Sequence, residues 1–131
     1  MAALEIAERR LGPVTIVELK GRLVADDGDT SFTNRITALL AFGHRNLLVD
    51  FGRVTYIDSG GLGALVSMYL RVTRRGGRLK LVRPSDRVHH VLEMTRLLDI
   101  FEVFGDEEAA LRSFAHPSAL PDVARRAAAV M

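Results

Sequence analysis

The sequence of 131 residues contains no cysteine and no tryptophan, and Lys20 and Lys80 are its two lysines. Without cysteine, the chain cannot form disulfides, thiolate metal sites or a cysteine nucleophile. Its longest nearly apolar stretch, residues 61–70, is far too short to span a bilayer. The charged N-terminus lacks the apolar segment of a secretory signal peptide. These absences favour a cytoplasmic protein with no membrane insertion and no metal site.

Positive charge is present but dispersed. The formal net charge is +2, and the basic residues never form a run of five or more. Nucleic-acid binding usually needs a basic stripe or an aromatic stacking platform, so direct binding of nucleic acid is not expected. Hydrophobic residues make up 48% of the chain and charged residues 26%, which is typical of one ordinary globular domain.

Short apolar runs ending at glycine or proline alternate with helical patterns. Strands are predicted at residues 4–9, 14–19, 47–51, 78–83 and 101–104. Apolar spacing of three and four predicts helices near residues 32–40, 62–70, 88–95 and 110–114. Their candidate N-caps are Asp29 or Thr30, Asp58 or Ser59, Ser85 or Asp86, and Asp106. This alternation predicts a single α/β domain with a mixed sheet of four or five strands and about four helices.

The domain is expected to span residues 1–115, with an initial hairpin that turns at Gly12-Pro13. Residues 116–131 contain Pro117 and Pro121 and are interpreted as an appendage, either a short helix or a mobile tail. Deleting residues 117–131 should therefore leave the domain folded. The residues expected in the core are Leu48, Val49, Ile57, Leu62, Leu65, Val66, Tyr69, Leu79, Leu81 and Leu92.

The strongest functional signal lies in LLVDFGRVTYIDSGGLGALV, residues 47–66. A buried strand leads to Asp58-Ser59-Gly60-Gly61, which opens an amphipathic helix whose first turn favours anions. Asp58 or Ser59 can serve simply as the N-cap. However, the two glycines cost roughly 1 kcal/mol each in helix propensity. That cost favours a second role, in which the glycines leave room for another protein to reach the Ser59 hydroxyl.

Several segments resemble the STAS domains of anti-sigma factor antagonists. They are LVDF at 48–51, IDSGGL at 57–62, LKGRL at 19–23, GGRLKL at 76–81 and residues 91–101, within a match over about residues 4–114. The resemblance implies that Ser59 is the phospho-acceptor of a serine kinase that is also an anti-sigma factor. The unphosphorylated antagonist would bind this kinase and release a sigma factor, and a phosphatase would reset the switch.

The residues expected to contact the partner are Asp58, Gly60 and Gly61 around Ser59, together with Asp26 and Asp27. Members of the family usually carry an aspartate directly after the Gly-x-Leu element, where this chain has Val24. Asp26, Asp27 or Asp29 could replace it. Formation of a homodimer stays open. Two alternatives also stay open: a non-phosphorylated STAS adaptor or scaffold, in a signalling assembly or a lipid transporter, and a small-molecule-binding domain.

The sequence does not favour an enzyme. Ser59 follows Ile57-Asp58, so the G-x-S-x-G nucleophile elbow of hydrolases is absent. The four histidines have no spacing that suggests a catalytic triad or a zinc site. Gly61 and Gly63 lack the third glycine of a dinucleotide-binding loop, because position 66 is valine. No catalytic residue and no cofactor are therefore expected.

Overall fold

A computed structural model of the chain describes residues 4–25 and 27–115. In chain order the elements are β1 (Leu4–Leu11), β2 (Val14–Leu23), α1 (Gly28–Ala41), β3 (Asn46–Ile57), α2 (Ser59–Arg74), β4 (Arg78–Val82), α3 (Asp86–Met94), a 3₁₀ turn (Leu97–Asp99), β5 (Val103–Phe104) and α4 (Glu107–Ser113). The predicted appendage, residues 116–131, lies outside the described residues, as does Asp26.

The strands form one five-stranded sheet in the order β1-β2-β3-β4-β5. β1 and β2 form the expected antiparallel hairpin, and the remaining pairs are parallel. The predicted fold class, a mixed α/β sheet with four helices, is confirmed. Because the strands are parallel, Val14, Asn46 and Arg78 align at what we call the amino edge of the sheet. Leu23 pairs with Ile57 at the opposite, carboxyl edge.

Helices cover both faces of the sheet. The main core joins one face to α1, α2 and α3, and it includes Phe32, Val49, Leu65 and Leu92. A smaller cluster on the other face includes Val14, Ile16, Leu48 and Val82 beneath Ala110 and Phe114 of the α4 region. The sheet is therefore held between two apolar layers, as its near-continuous apolar strands require.

The predicted core is confirmed except on α2, where Leu62 and Val66 are half-buried rather than buried. Met68 and Val72, which were not predicted, are 1% and 0% exposed. Helix α2 packs against α1 as well as on the sheet, so its buried face is rotated toward Met68 and Val72 and away from Leu62 and Val66. The contact between Thr37 Oγ1 and Met68 Sδ, at 4.0 Å, marks that second interface.

Several predicted ends are wrong, including the end of β2 at residue 19 and the start of β5 at residue 101. Two others show the effect of contacts between segments that are distant in the sequence. β3 does not stop at Phe51; it continues through Gly52 to Ile57, because β2 extends alongside it to Leu23 after shifts in register. Helix α1 begins at Gly28, with Asp27 at the N-cap position rather than Asp29 or Thr30. A Cβ at Gly28 would lie 2.5 Å from the Arg22 carbonyl oxygen, so the helix start is pressed against the end of β2.

Candidate functional site

Ser59 lies at the carboxyl edge, where β3 ends at Ile57 and α2 begins. Asp58 is the N-cap of α2, and its carboxylate accepts a hydrogen bond from the Gly61 N–H at 2.9 Å. Ser59 is the first residue of the helix, and its side chain is exposed. Because Asp58 supplies the cap, the Ser59 hydroxyl is not used for it.

The Asp58 carboxylate also holds a second segment of the chain. The Ala25 N–H lies 3.1 Å and 3.2 Å from its two oxygens, and the Asp58 N–H donates to the Leu23 carbonyl at 3.4 Å. The N–H groups that donate to the carboxylate favour its charged form, so the pKa of Asp58 is lowered, mainly by the Gly61 N–H and further by the Ala25 N–H. Asp58 therefore ties the loop between β2 and α1 to the first turn of α2.

The paired glycines serve that same junction. A Cβ at Gly61 would lie 2.0 Å from the Leu23 carbonyl oxygen, and one at Gly60 would lie 2.6 Å from the Ala25 Cβ. Gly61 is buried, so the interpretation that it leaves room for another protein is wrong: the chain's own loop occupies that space. Gly63 is different, because a Cβ there would meet nothing within 4 Å.

The loop brought beside Ser59 carries the other predicted contact residues. Asp27 is exposed at the start of α1, where its side chain makes no capping hydrogen bond. Val24, which stands where the family usually has aspartate, is half-buried, and its carbonyl accepts from the Asp29 N–H at 2.9 Å. The structure thus brings Asp27 and Asp58 to the same edge of the sheet, on two loops that contact each other. Asp26 lies outside the described residues.

An apolar groove beside Ser59 was not predicted from the sequence. It has a volume of about 560 Å³, and Leu62, Val66 and Leu70 of α2 face Leu97 across it. The apolar spacing predicted that Leu62 and Val66 belong to the core. Their half-buried state instead makes them the floor of an open surface that begins at the phospho-acceptor candidate. A second apolar stripe on α2, next to the buried one, is the sequence signal that could have indicated it.

Within residues 4–25 and 27–115, no cluster of three or more histidine, aspartate or glutamate side chains is placed to hold a metal ion. The helices in that same part of the chain are too short or too polar to cross a membrane. His44 lies at the amino edge, where its Nδ1 is 2.6 Å from the Thr15 hydroxyl. His89 and His90 are exposed on α3.

Two relatives with similar sequences are anti-sigma factor antagonists. The anti-sigma F factor antagonist of Paenibacillus polymyxa is 26% identical over 98 residues, which are 75% of this chain and 84% of the relative. The anti-sigma-B factor antagonist of Bacillus subtilis (strain 168) is 36% identical over 59 residues, 45% of this chain and 54% of the relative. The chain thus spans only about half the length of the second relative.

Solved structures share the fold. The anti-sigma factor antagonist SpoIIAA in its unphosphorylated form matches with a TM-score of 0.72 at 19% identity, covering 85% of this chain and 96% of its own. The phosphorylated form of SpoIIAA, a Bacillus cell fate determinant, matches with a TM-score of 0.65 at 19% identity, covering 86% of this chain and 99% of its own. The STAS domain family model matches residues 5–110, from β1 into α4. With the sheet order, the carboxyl-edge serine and this match in agreement, the chain belongs to the STAS domain family.

Proposed function

We propose that this protein is an anti-sigma factor antagonist controlled by phosphorylation of Ser59. In this proposal the unphosphorylated domain binds an anti-sigma factor that is also a serine kinase, and a sigma factor is released. Phosphorylation of Ser59 ends the binding, and a phosphatase restores it. The domain acts by binding rather than by catalysis. The observation that carries the proposal is the exposed Ser59 at the start of α2, beside a cap residue that leaves its hydroxyl unused.

Relatives support this proposal in two ways. The Paenibacillus polymyxa and Bacillus subtilis relatives are anti-sigma factor antagonists, and SpoIIAA, which has the same fold, exists in a phosphorylated and an unphosphorylated form. The position of Ser59 directly after the N-cap also gives a kinase access to the hydroxyl without unfolding the helix.

The charges around Ser59 indicate that a phosphate would change the surface more than the fold. The Gly61 N–H, a donor that could otherwise favour an anion, already binds Asp58. The helix dipole favours an exposed phosphate by about 0.3–1 kcal/mol. Repulsion by Asp58 opposes it by about 1 kcal/mol per unit charge at about 4 Å in water. The two effects nearly cancel, so the isolated domain should keep its stability.

Phosphorylation should instead change the affinity for the partner that binds over Ser59. A partner that covers Ser59 and the groove over Leu62 and Val66 would bury the neutral hydroxyl at little cost. After phosphorylation it would have to exclude water from almost two negative charges beside Asp58. An unpaired buried charge costs several kcal/mol. That cost corresponds to a loss of affinity of about a hundredfold or more.

A binding titration against the candidate kinase tests the switch. Ser59→Ala should keep the affinity of the unmodified domain, and Ser59→Asp or Ser59→Glu should lower it with little change in melting temperature. Ser31→Asp is a matched control, since it adds the same charge near the start of α1 without adding charge beside Asp58. Equal affinities of the phosphorylated and unphosphorylated domain would contradict the switch and favour a plain adaptor.

Phosphorylation itself is tested by incubating the domain with the kinase and ATP. Intact mass should increase by one phosphate, and the increase should be absent from Ser59→Ala. Native mass measurement of the same sample reports whether the domain forms a homodimer.

Asp27→Ala tests whether Asp27 takes the role of the aspartate that the family usually carries at the position of Val24. If Asp27 has that role, the substitution should weaken binding to the kinase. Absence of phosphate on Ser59 in protein isolated from its cell of origin would also favour the adaptor, the alternative that Val24 supports.

A further inference from the structure

The amino edge of the sheet gathers arginines that are far apart in the sequence. The three segments that meet there, residues 10–13, 41–46 and 71–78, contain no aspartate or glutamate. We call five of their arginines the arginine edge: Arg10, Arg45, Arg71, Arg74 and Arg75. The aspartates that follow the strands at 27, 29, 58 and 86 belong to the opposite, carboxyl side. The three segments of the amino edge therefore contain six arginines and no carboxylate side chain.

Direct contacts hold these segments together. Val14, Asn46 and Arg78 are register partners at the starts of adjacent strands. The Arg78 N–H donates to the Arg45 carbonyl at 2.8 Å. A Cβ at Gly77 would lie 2.4 Å from that same carbonyl oxygen, so the two loops are in close contact. The arginine edge is thus a fixed feature of the sheet.

Five of the eight described arginines outside these three segments are paired with carboxylates, and Arg22, Arg53 and Arg87 are not. Arg9, Arg35, Arg83, Arg96 and Arg112 each form an ion pair with a carboxylate. At the arginine edge, Arg10 donates to the Gly12 carbonyl, and Arg45 donates to the carbonyls of Leu40 and His44. These bonds leave the positive charge unneutralised. Arg71, Arg74 and Arg75 are exposed and form no ion pair with any described residue.

Two exposed apolar side chains lie among these charges. Phe42, the C-cap residue of α1, is 85% exposed, and Leu11, at the end of β1, is 43% exposed. A protein interface would require a contiguous apolar centre, which two residues at separate turns do not form. A single aromatic ring is also less than the stacking platform typical of nucleic-acid sites. Isolated apolar side chains surrounded by arginines instead match the headgroup region of an anionic membrane.

We propose that the arginine edge binds peripherally to a membrane surface rich in anionic lipids. The Phe42 ring would lie at headgroup level, and the arginines would face the lipid phosphates. Each arginine near such a surface raises the association constant roughly fivefold, about 1 kcal/mol. In this orientation Ser59, at the carboxyl edge, points away from the membrane and stays accessible. The inference depends on the amino edge alone and does not require Ser59 to be phosphorylated.

Co-sedimentation of the full chain with lipid vesicles tests the inference. Binding is expected to vesicles of phosphatidylcholine mixed with phosphatidylglycerol, and not to phosphatidylcholine alone. It should weaken as salt shortens the range of the charges. The double substitution Arg74→Gln/Arg75→Gln should weaken binding roughly twentyfold. Phe42→Ser should weaken it by a smaller factor. Melting temperatures of all variants establish that they are folded.

The matched control is Arg53→Gln/Arg87→Gln, which removes the same net charge from exposed positions outside the arginine edge. It should bind the vesicles nearly as well as the unmodified chain. An equal loss in both double variants would show attraction by net charge alone and would overturn the inference. No binding to the anionic vesicles at low salt would overturn it too. Binding to duplex DNA or RNA, without binding to vesicles, would also overturn the inference and would show that the edge binds nucleic acid.

Discussion

The contact between Gly61 and Leu23 predicts opposite effects for the same substitution at two neighbouring glycines. Gly61→Ala places a methyl group 2.0 Å from the Leu23 carbonyl oxygen. The end of β2 and the start of α2 must then separate by about 1 Å or more, and overpacking of this kind costs about 1–3 kcal/mol. The movement also stretches the hydrogen bond from Ala25 to Asp58, worth about 0.5–1.5 kcal/mol. The higher helix propensity of alanine offsets about 1 kcal/mol of this loss of stability.

Gly63→Ala gives the same gain in propensity without a clash, because nothing lies within 4 Å of its Cβ position. We therefore expect Gly61→Ala to lower the free energy of unfolding by about 1–3 kcal/mol. Gly63→Ala should raise it by up to about 1 kcal/mol. For a chain of this length, each kcal/mol shifts the melting temperature by about 3–5 °C.

Urea unfolding followed by circular dichroism measures both values, since the chain has no tryptophan for fluorescence. If Gly61→Ala and Gly63→Ala were equally stable, the close approach of the β2–α1 loop to α2 would be refuted. The account of Asp58 as the residue that ties the two segments together would fail with it.

Three further predictions concern the cap, the buried lysine and the two apolar stripes of α2. The lowered pKa of Asp58 means that its stabilisation is complete above its ordinary value of 3.8 and is lost as the pH falls through the lower folded value. The gap in melting temperature between the natural chain and Asp58→Asn should therefore be wide at neutral pH and should narrow below about pH 4; a constant gap would contradict this. Lys80 is 1% exposed, and burial lowers its pKa, so Lys80→Met/Glu102→Gln, which replaces both partners of the ion pair, should leave the free energy of unfolding unchanged or raise it by about 1–4 kcal/mol. A large loss in chemical denaturation would show that the bonds from Lys80 to Ser113 and Glu102 outweigh the cost of burying the ammonium. Leu65→Ala should cost about 2–5 kcal/mol, and Leu62→Ala, at the half-buried edge of the groove, clearly less; equal costs by the same measurement would mean that the groove is closed in solution.

The sequence alone determined the features that depend on near neighbours. Apolar spacing and the glycines and prolines between elements were enough to predict the α/β class, about four helices and four or five strands, because these patterns act within one turn or one strand. The segment around Ser59 was identified for the same reason, since a strand end, a cap residue and a helix start follow one another directly. Asp58 and Ser59 remained interchangeable as cap candidates, because both residue types cap helices.

Only the tertiary structure decided what depends on residues distant in the chain. Ala25 and Asp58 are separated by 33 positions, and the same junction places the Leu23 carbonyl oxygen 2.0 Å from the position of a Cβ at Gly61. The position of α1 against α2 decided that Met68 is buried and Leu62 is left at the groove. Parallel pairing brought dispersed arginines to one edge. No local pattern contains these outcomes, because each arises from the register of strands whose residues meet only after the chain has folded.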